Sequence, residues 1–138
     1  MVQVIHHHSA LRFSRSETQR VVAGVIRHEK KKLKFVSVVF VGSRFIRRVN
    51  KNFLKHDYVT DVISFPLQDD VGADAEIYIN LDRAKSQAKE YKVSFRQEVL
   101  RLVVHGILHL LGYNDKTAVQ KRRMQIREDI HLSRLTKG

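Results

Sequence analysis

His105 and His109 stand four residues apart in the stretch His105-Gly-Ile-Leu-His109-Leu-Leu-Gly-Tyr-Asn-Asp115. On a helix that spacing stacks both imidazoles on one face. Two ring nitrogens can then meet one ion roughly 2 Å from each. A third ligand requires the chain to turn. Gly112 supplies the turn, because glycine is the residue type that ends helices in the left-handed conformation, and Asp115 can swing back beneath the histidines. Two imidazoles and a carboxylate leave a position open for water, the arrangement of a catalytic rather than a structural zinc site. The competing reading makes both histidines core residues bonded to backbone and Asp115 a turn residue or helix cap. The glycine and the carboxylate at these offsets favour the metal.

A second group has the chemistry of phosphate contact. Arg47, Lys51 and Lys55 fall four apart on one helical face, beside Arg44 and Arg48. A row of cations at that spacing tracks a phosphate backbone; the alternative is a solvated basic face. The whole chain leans the same way. Its 138 residues carry 26 Lys plus Arg against 14 Asp plus Glu, a net charge of +12. Such a field favours polyanions, RNA or DNA above all. An anionic membrane is the weaker partner, since no basic amphipathic stretch carries exposed Trp or Phe. No run approaches the roughly 20 apolar residues of a membrane helix, and the first eight residues lack the regions of a signal peptide. With no cysteine, disulfides, thiolate metal sites and cysteine nucleophiles are excluded, and a cytoplasmic home fits. His6, His7 and His8 are read as structural.

The elements that must position these groups follow from periodicity and caps. A length of 138 residues fits one domain, 1–138. Val2 to Ile5 is a short strand. Ser16-Glu-Thr-Gln19 is a capping-box pattern opening a helix with Val21, Val22, Val25 and Ile26 inward, ending in Lys30, Lys31 and Lys32. Lys34 to Val41 is a buried strand closed by Gly42. Ser43 caps the next helix, with Ile46, Val49 and Phe53 as its core stripe. Thr60 to Pro66 is a strand stopped by the only proline, and Gln68 to Asp74 an acidic loop. Ala75 to Asn80 is a strand with Ile77 and Ile79 on one face, paired antiparallel with the previous one. Asn80 caps a short helix carrying Ala84, Ala88 and Tyr91. Ser94-Phe-Arg-Gln97 caps a helix to Leu111 that is apolar on most sides, as a helix in the middle of a fold must be. Thr117-Ala-Val-Gln120 caps the last helix, with Val119, Ile126 and Ile130 inward and Lys121, Arg122, Arg123 and Arg127 outward. This order fits an α+β or α/β domain. The pattern predicts an α+β domain: a small mixed sheet packed with about five helices, the central buried one bearing the histidines.

The histidine spacing has two family echoes. It resembles the metzincin protease motif, His-Glu-x-x-His-x-x-Gly-x-x-His. Here Gly106 replaces the glutamate base and Asp115 the third histidine, so peptide hydrolysis lacks its proton acceptor and a zinc peptidase is a runner-up. The fuller resemblance is to the YbeY family of bacterial ribosomal RNA maturation factors. His105-Gly-Ile-Leu-His109-Leu-Leu-Gly-Tyr113, with Met124 and Glu128 following, is similar to that family's signature. Asn50-Lys-Asn-Phe53, Thr60-Asp-Val-Ile-Ser-Phe-Pro66 and Glu76-Ile-Tyr-Ile79 resemble its other blocks, in the right order.

The resemblance implies a metal-dependent endoribonuclease acting on single-stranded RNA. It further implies work in 3′-end maturation of small-subunit (16S) ribosomal RNA and in ribosome quality control, with zinc held by three histidines. In this chain the third histidine position is Asp115, a harder ligand that tolerates Mn²⁺ or Mg²⁺ better. The family's arginine after the aromatic is Leu54, with Lys51 or Lys55 left to take over part of its phosphate contact. No general base is identified; Ser64 and Asp61 are read as a strand residue and a strand-entry cap. A non-catalytic, RNA-binding assembly factor with a structural metal is the other alternative.

Overall fold

The computed structural model describes residues 1–31, 33–66 and 74–136. The order is β1 (Val2–His7), α1 (Arg15–His28), β2 (Phe35–Val41), α2 (Ser43–Leu54), β3 (Val62–Pro66), β4 (Asp74–Asn80), α3 (Leu81–Tyr91), α4 (Phe95–Leu110) and α5 (Ala118–Thr136). The strands form one mixed sheet in the order β1-β2-β4-β3. β1, β2 and β4 run parallel, and β3 runs antiparallel to β4 as expected. This is an α+β fold with α4 at its centre. The expected acidic loop from Gln68 lies outside the described residues, apart from Asp74 at the start of β4.

Strand alternation divides the core in two. Val4, Val36, Val38, Phe40, Ile77 and Ile79 face α1, α3 and α4. Ile5, Val39, Val41, Ile63, Phe65 and Tyr78 face the opposite way, against Ile46 and Val49 of α2. α4 is buried on most sides because it lies between the sheet and the helices α1, α3 and α5. Val99, Leu102, Val103, Ile107 and Leu108 are all buried, each stabilising the fold by about 1.5–3 kcal/mol. The histidines therefore ride on the most firmly held element of the molecule. Gly106 is the point of closest approach: a Cβ there would stand 2.8 Å from Cγ2 of Ile77. Ser64 Oγ donates to the Gly106 carbonyl at 3.0 Å, tying β3 to the same place.

Capping holds for three helices. Ser94 and Gln97 form the full reciprocal box, Asn80 accepts from the Arg83 amide, and Thr117 and Gln120 exchange both bonds at 3.1 Å. Elsewhere the expectations need correction. The cap of α1 is Ser14, not Ser16, and α1 ends at His28 rather than in the lysines. Serines stand at both candidate positions, and only Ser14 has the extended backbone that an N-cap requires. α2 starts at Ser43, with Gly42 as its cap; the Ser43 amide is instead satisfied by Asp82 Oδ2 at 2.9 Å.

Phe53 is not in the core but 71% exposed, and Tyr91 is also exposed. The inward face of α5 is not the aliphatic one. Val119 and Ile126 are exposed, Met124, Glu128 and His131 are buried, and Arg127 turns in to bond Glu29. The polar residues can go inside because each meets an opposite charge or a hydrogen-bond partner there. His6, His7 and His8 are structural: His6 and His7 stack on Phe40 and Phe45, and His8 Nε2 lies 2.7 Å from Asp82.

Candidate metal centre

The last turn of α4 ends in a Schellman motif. The Tyr113 amide bonds the Leu108 carbonyl at 3.0 Å and the Gly112 amide bonds His109 at 3.2 Å. Gly112 has φ +104°, a conformation that side chains with a Cβ resist. The turn folds residues 113–115 back under the helix. His105 Nε2 then lies 3.4 Å from Asp115 Oδ2, and His109 Nε2 lies 3.9 Å from Asp115 Oδ1. His105 is half-buried and His109 is exposed, so the group opens to solvent on one side.

The far nitrogen of His105 is also engaged. Its Nδ1–H donates to Glu128 Oε2 at 2.7 Å. Glu128 is buried and held by Arg101, whose guanidinium bridges it at 3.1 Å and Asp129 at 3.2 Å. A carboxylate on Nδ1 fixes the tautomer and leaves the Nε2 lone pair facing Asp115. Burial pulls the His105 pKa down, but the Glu128 hydrogen bond and the charges of Glu128, Asp115 and Asp61 outweigh it and raise the pKa overall. Glu128 was visible in the sequence only as a matching family position. Its role comes from α5 crossing α4, 23 residues away in the chain.

Two imidazoles and a carboxylate are donor types that a zinc-type ion takes. Two ligands of a tetrahedral ion at the usual bond lengths lie roughly 3.3 Å apart, which the His105–Asp115 pair approaches and the His109–Asp115 pair exceeds. Among the described residues no group of three His, Cys, Asp or Glu closes tightly enough to grip an ion as it stands. Asp115 faces His105 through Oδ2 and His109 through Oδ1, so Asp115 and the exposed His109 ring would have to rearrange for one ion to meet all three side chains.

Gly106 lies on the sheet-facing side of α4, where Ile77 and Val62 approach it. A glutamate here would start against Ile77 and Val62, so the base of the protease motif does not fit at this position without moving the sheet.

α2, which carries Arg47 and Lys51 and is capped by Lys55, packs on the opposite sheet face from α4. Arg47 is paired with Asp57 at 2.8 Å. Lys55 ends α2 with φ 62°. Beside them Phe53 packs edge-on against Phe65 of β3, and Leu54 is partly exposed. Of the two polar candidates, Ser64 is a tie between β3 and α4, while Asp61 bears electrostatically on His105.

Comparison with known proteins gives this geometry a family. The model of the endoribonuclease YbeY family matches residues 3–136. The chain belongs to the endoribonuclease YbeY family. Among its relatives, the endoribonuclease YbeY of Chlorobaculum tepidum is 42% identical over 115 residues, covering 83% of this chain and 84% of that protein. That of Chlorobium phaeovibrioides is 34% identical over 134 residues, covering 97% and 90%. The solution structure of TM1509 from Thermotoga maritima superposes with a TM-score of 0.65 at 26% identity, covering 96% of this chain and 87% of that one. No helix among the described residues is long and apolar enough to cross a membrane.

Proposed function

We propose that this protein is an endoribonuclease that hydrolyses internal phosphodiester bonds of single-stranded RNA, using a divalent metal held by His105, His109 and Asp115. The observation that carries the reading is the convergence of these three side chains, with Glu128 on the far nitrogen of His105, in a chain of the YbeY family. Zinc is the proposed ion, with Mn²⁺ or Mg²⁺ admitted by the harder Asp115. When bound, it supplies Lewis acidity and a water of lowered pKa.

The chain's own residues do the rest. Glu128 and Arg101 orient His105, so its Nε2 does not have to be ordered on binding. Asp115 sets the charge of the site. Arg47, Lys51 and Lys55 hold phosphates of the RNA that lie away from the scissile bond. The proposed biological substrate is small-subunit (16S) ribosomal RNA at its 3′ end, with a part in ribosome quality control, in the cytoplasm.

The test is incubation with single-stranded RNA, with and without a chelator, for wild type and His109→Ala. Cleavage is expected to stop in both the chelated and the variant reactions. Cleavage that ignores the chelator and survives His109→Ala would sink the metal mechanism. A second reading, a non-catalytic assembly factor with a structural metal, is favoured by the exposed Leu54 and by the engagement of Arg47 with Asp57. It would win if wild type never turned over RNA while His105→Ala melted the fold.

A further inference from the structure

α1 and α5 diverge over a groove that the histidine site does not use. It consists of two cavities of about 210 and 160 Å³ that share Arg20, Val21, Arg134 and Leu135 as walls. Arg27 and His28 line the inner one. Among the described residues Arg20, Arg27 and Arg134 form no ion pair with an acid. Arg20 reaches only the Ser16 carbonyl, and Arg134 only the ring of His131. The carboxylates nearby are spent: Glu17 is bound by Arg96 at 2.6 Å, and Glu29 by Arg127 and His131. Glu17 and Arg96 line the outer cavity as a pair that cancels its own charge, so Arg20, Arg27 and Arg134 leave the groove with a net positive charge. Burial and the charges of Arg134, Arg27 and His131 lower the pKa of His28 and outweigh the opposing charge of Glu29.

The inner cavity is linked to the histidine site through α5 and Glu29. His131, in its wall, lies three residues along α5 from Glu128, roughly 5 Å of helix. Glu29, on which His131 rests, accepts from Tyr113 Oη at 2.8 Å, two residues before Asp115.

We propose that the α1–α5 groove is a second RNA track, in which Arg20, Arg27 and Arg134 bind phosphates of a single strand whose other part occupies the histidine site. This rests on the RNA-cleaving reading above. A ligand with regular phosphates suits the groove because its cations are spread along two helices rather than gathered at one point.

The test measures binding of a labelled 20-nucleotide and a labelled 4-nucleotide uridine RNA by fluorescence anisotropy over a range of salt. The proteins, all on a His109→Ala background to prevent cleavage, are the parent, Arg20→Ala/Arg134→Ala and Arg20→Lys/Arg134→Lys. The alanine pair is expected to weaken the 20-mer about tenfold and to flatten its log–log salt slope by about 1.4, two single-strand contacts. The lysine pair should keep most of the affinity, and the 4-mer should bind alike in all three. An unchanged affinity and slope for the 20-mer, with the parent binding well, would overturn the track alone. Failure of both this parent and the metal-loaded wild-type protein to bind any RNA would overturn the RNA reading itself. Unchanged RNA binding with lost binding of polyglutamate would overturn the track in favour of an acidic polypeptide.

Discussion

At the residue scale the decisive contact is Glu128 on His105. Its 2.7 Å bond to Nδ1 leaves Nε2 as the only nitrogen free to ligate. Removing such a carboxylate typically weakens metal binding 10–100-fold. Glu128→Gln should therefore lower zinc affinity by about that factor, measured by competition with a chromophoric chelator, while the melting temperature of the metal-free protein moves little. Equal metal affinity in the two proteins would reduce Glu128 to a packing role. Asp115 is the second residue to question. Asp115→Ala should weaken zinc binding, and Asp115→His should tighten it relative to wild type, because imidazole is the softer donor and zinc is borderline-soft. The same pair tested with Mn²⁺ should show the opposite order for Asp and His.

At the scale of elements the site depends on how α4 stops. Gly112 takes φ +104° with open space around it, so a substitution is strained by backbone alone. Gly112→Ala should cost about 1–2 kcal/mol, readable as a shift in the denaturant midpoint. It should also impair metal binding, because the turn it distorts carries Asp115. Gly106 fails for a different reason. A Cβ at 2.8 Å from Ile77 forces β4 and α4 apart, and Gly106→Ala should cost about 1–3 kcal/mol as overpacking. Both glycines were legible as glycines in the sequence. The turn at Gly112 was readable because helix termination is local. The close approach at Gly106 was not, because Ile77 is almost thirty residues earlier.

At the scale of the whole molecule, Glu29 joins the end of α1, the Tyr113 turn and α5. It accepts from Tyr113, Arg127 and His131. Burial raises its pKa, but these hydrogen bonds outweigh burial and hold it at about 2. A carboxyl depressed from about 4.5 to about 2 stabilises the fold fully above its unfolded pKa and loses that contribution as pH falls from about 4.5 toward 2. The gain at neutral pH is on the order of 3 kcal/mol. His131 acts in the same direction, since burial lowers its pKa and protonation below about 6.5 then opposes folding. Glu29→Gln should be destabilised by a few kcal/mol at pH 7, with the gap to wild type closing as pH drops below about 4, followed by chemical denaturation.

What the sequence settled by itself was whatever depends on neighbours along the chain. The capping boxes at Ser94 and Thr117, the alternation of β4, the i, i+4 histidines and the turn at Gly112 are all local patterns, and each is found where the spacing puts it. So is the family, because its blocks are short stretches in order. Where local cues competed, they misled. Ser16 was as good a cap by type as Ser14, and the aliphatic residues of α5 looked inward although its buried face is Met124, Glu128 and His131. Burial of charge depends on a partner, and the partners Arg101 and Glu29 come from distant elements. Only the tertiary structure could bring α5 across α4 to put Glu128 on His105. Only it could set α2 and its cations on the far face of the sheet, and open a basic groove between α1 and α5. The histidine pair was written into one helix; its orientation and its surroundings required the whole fold.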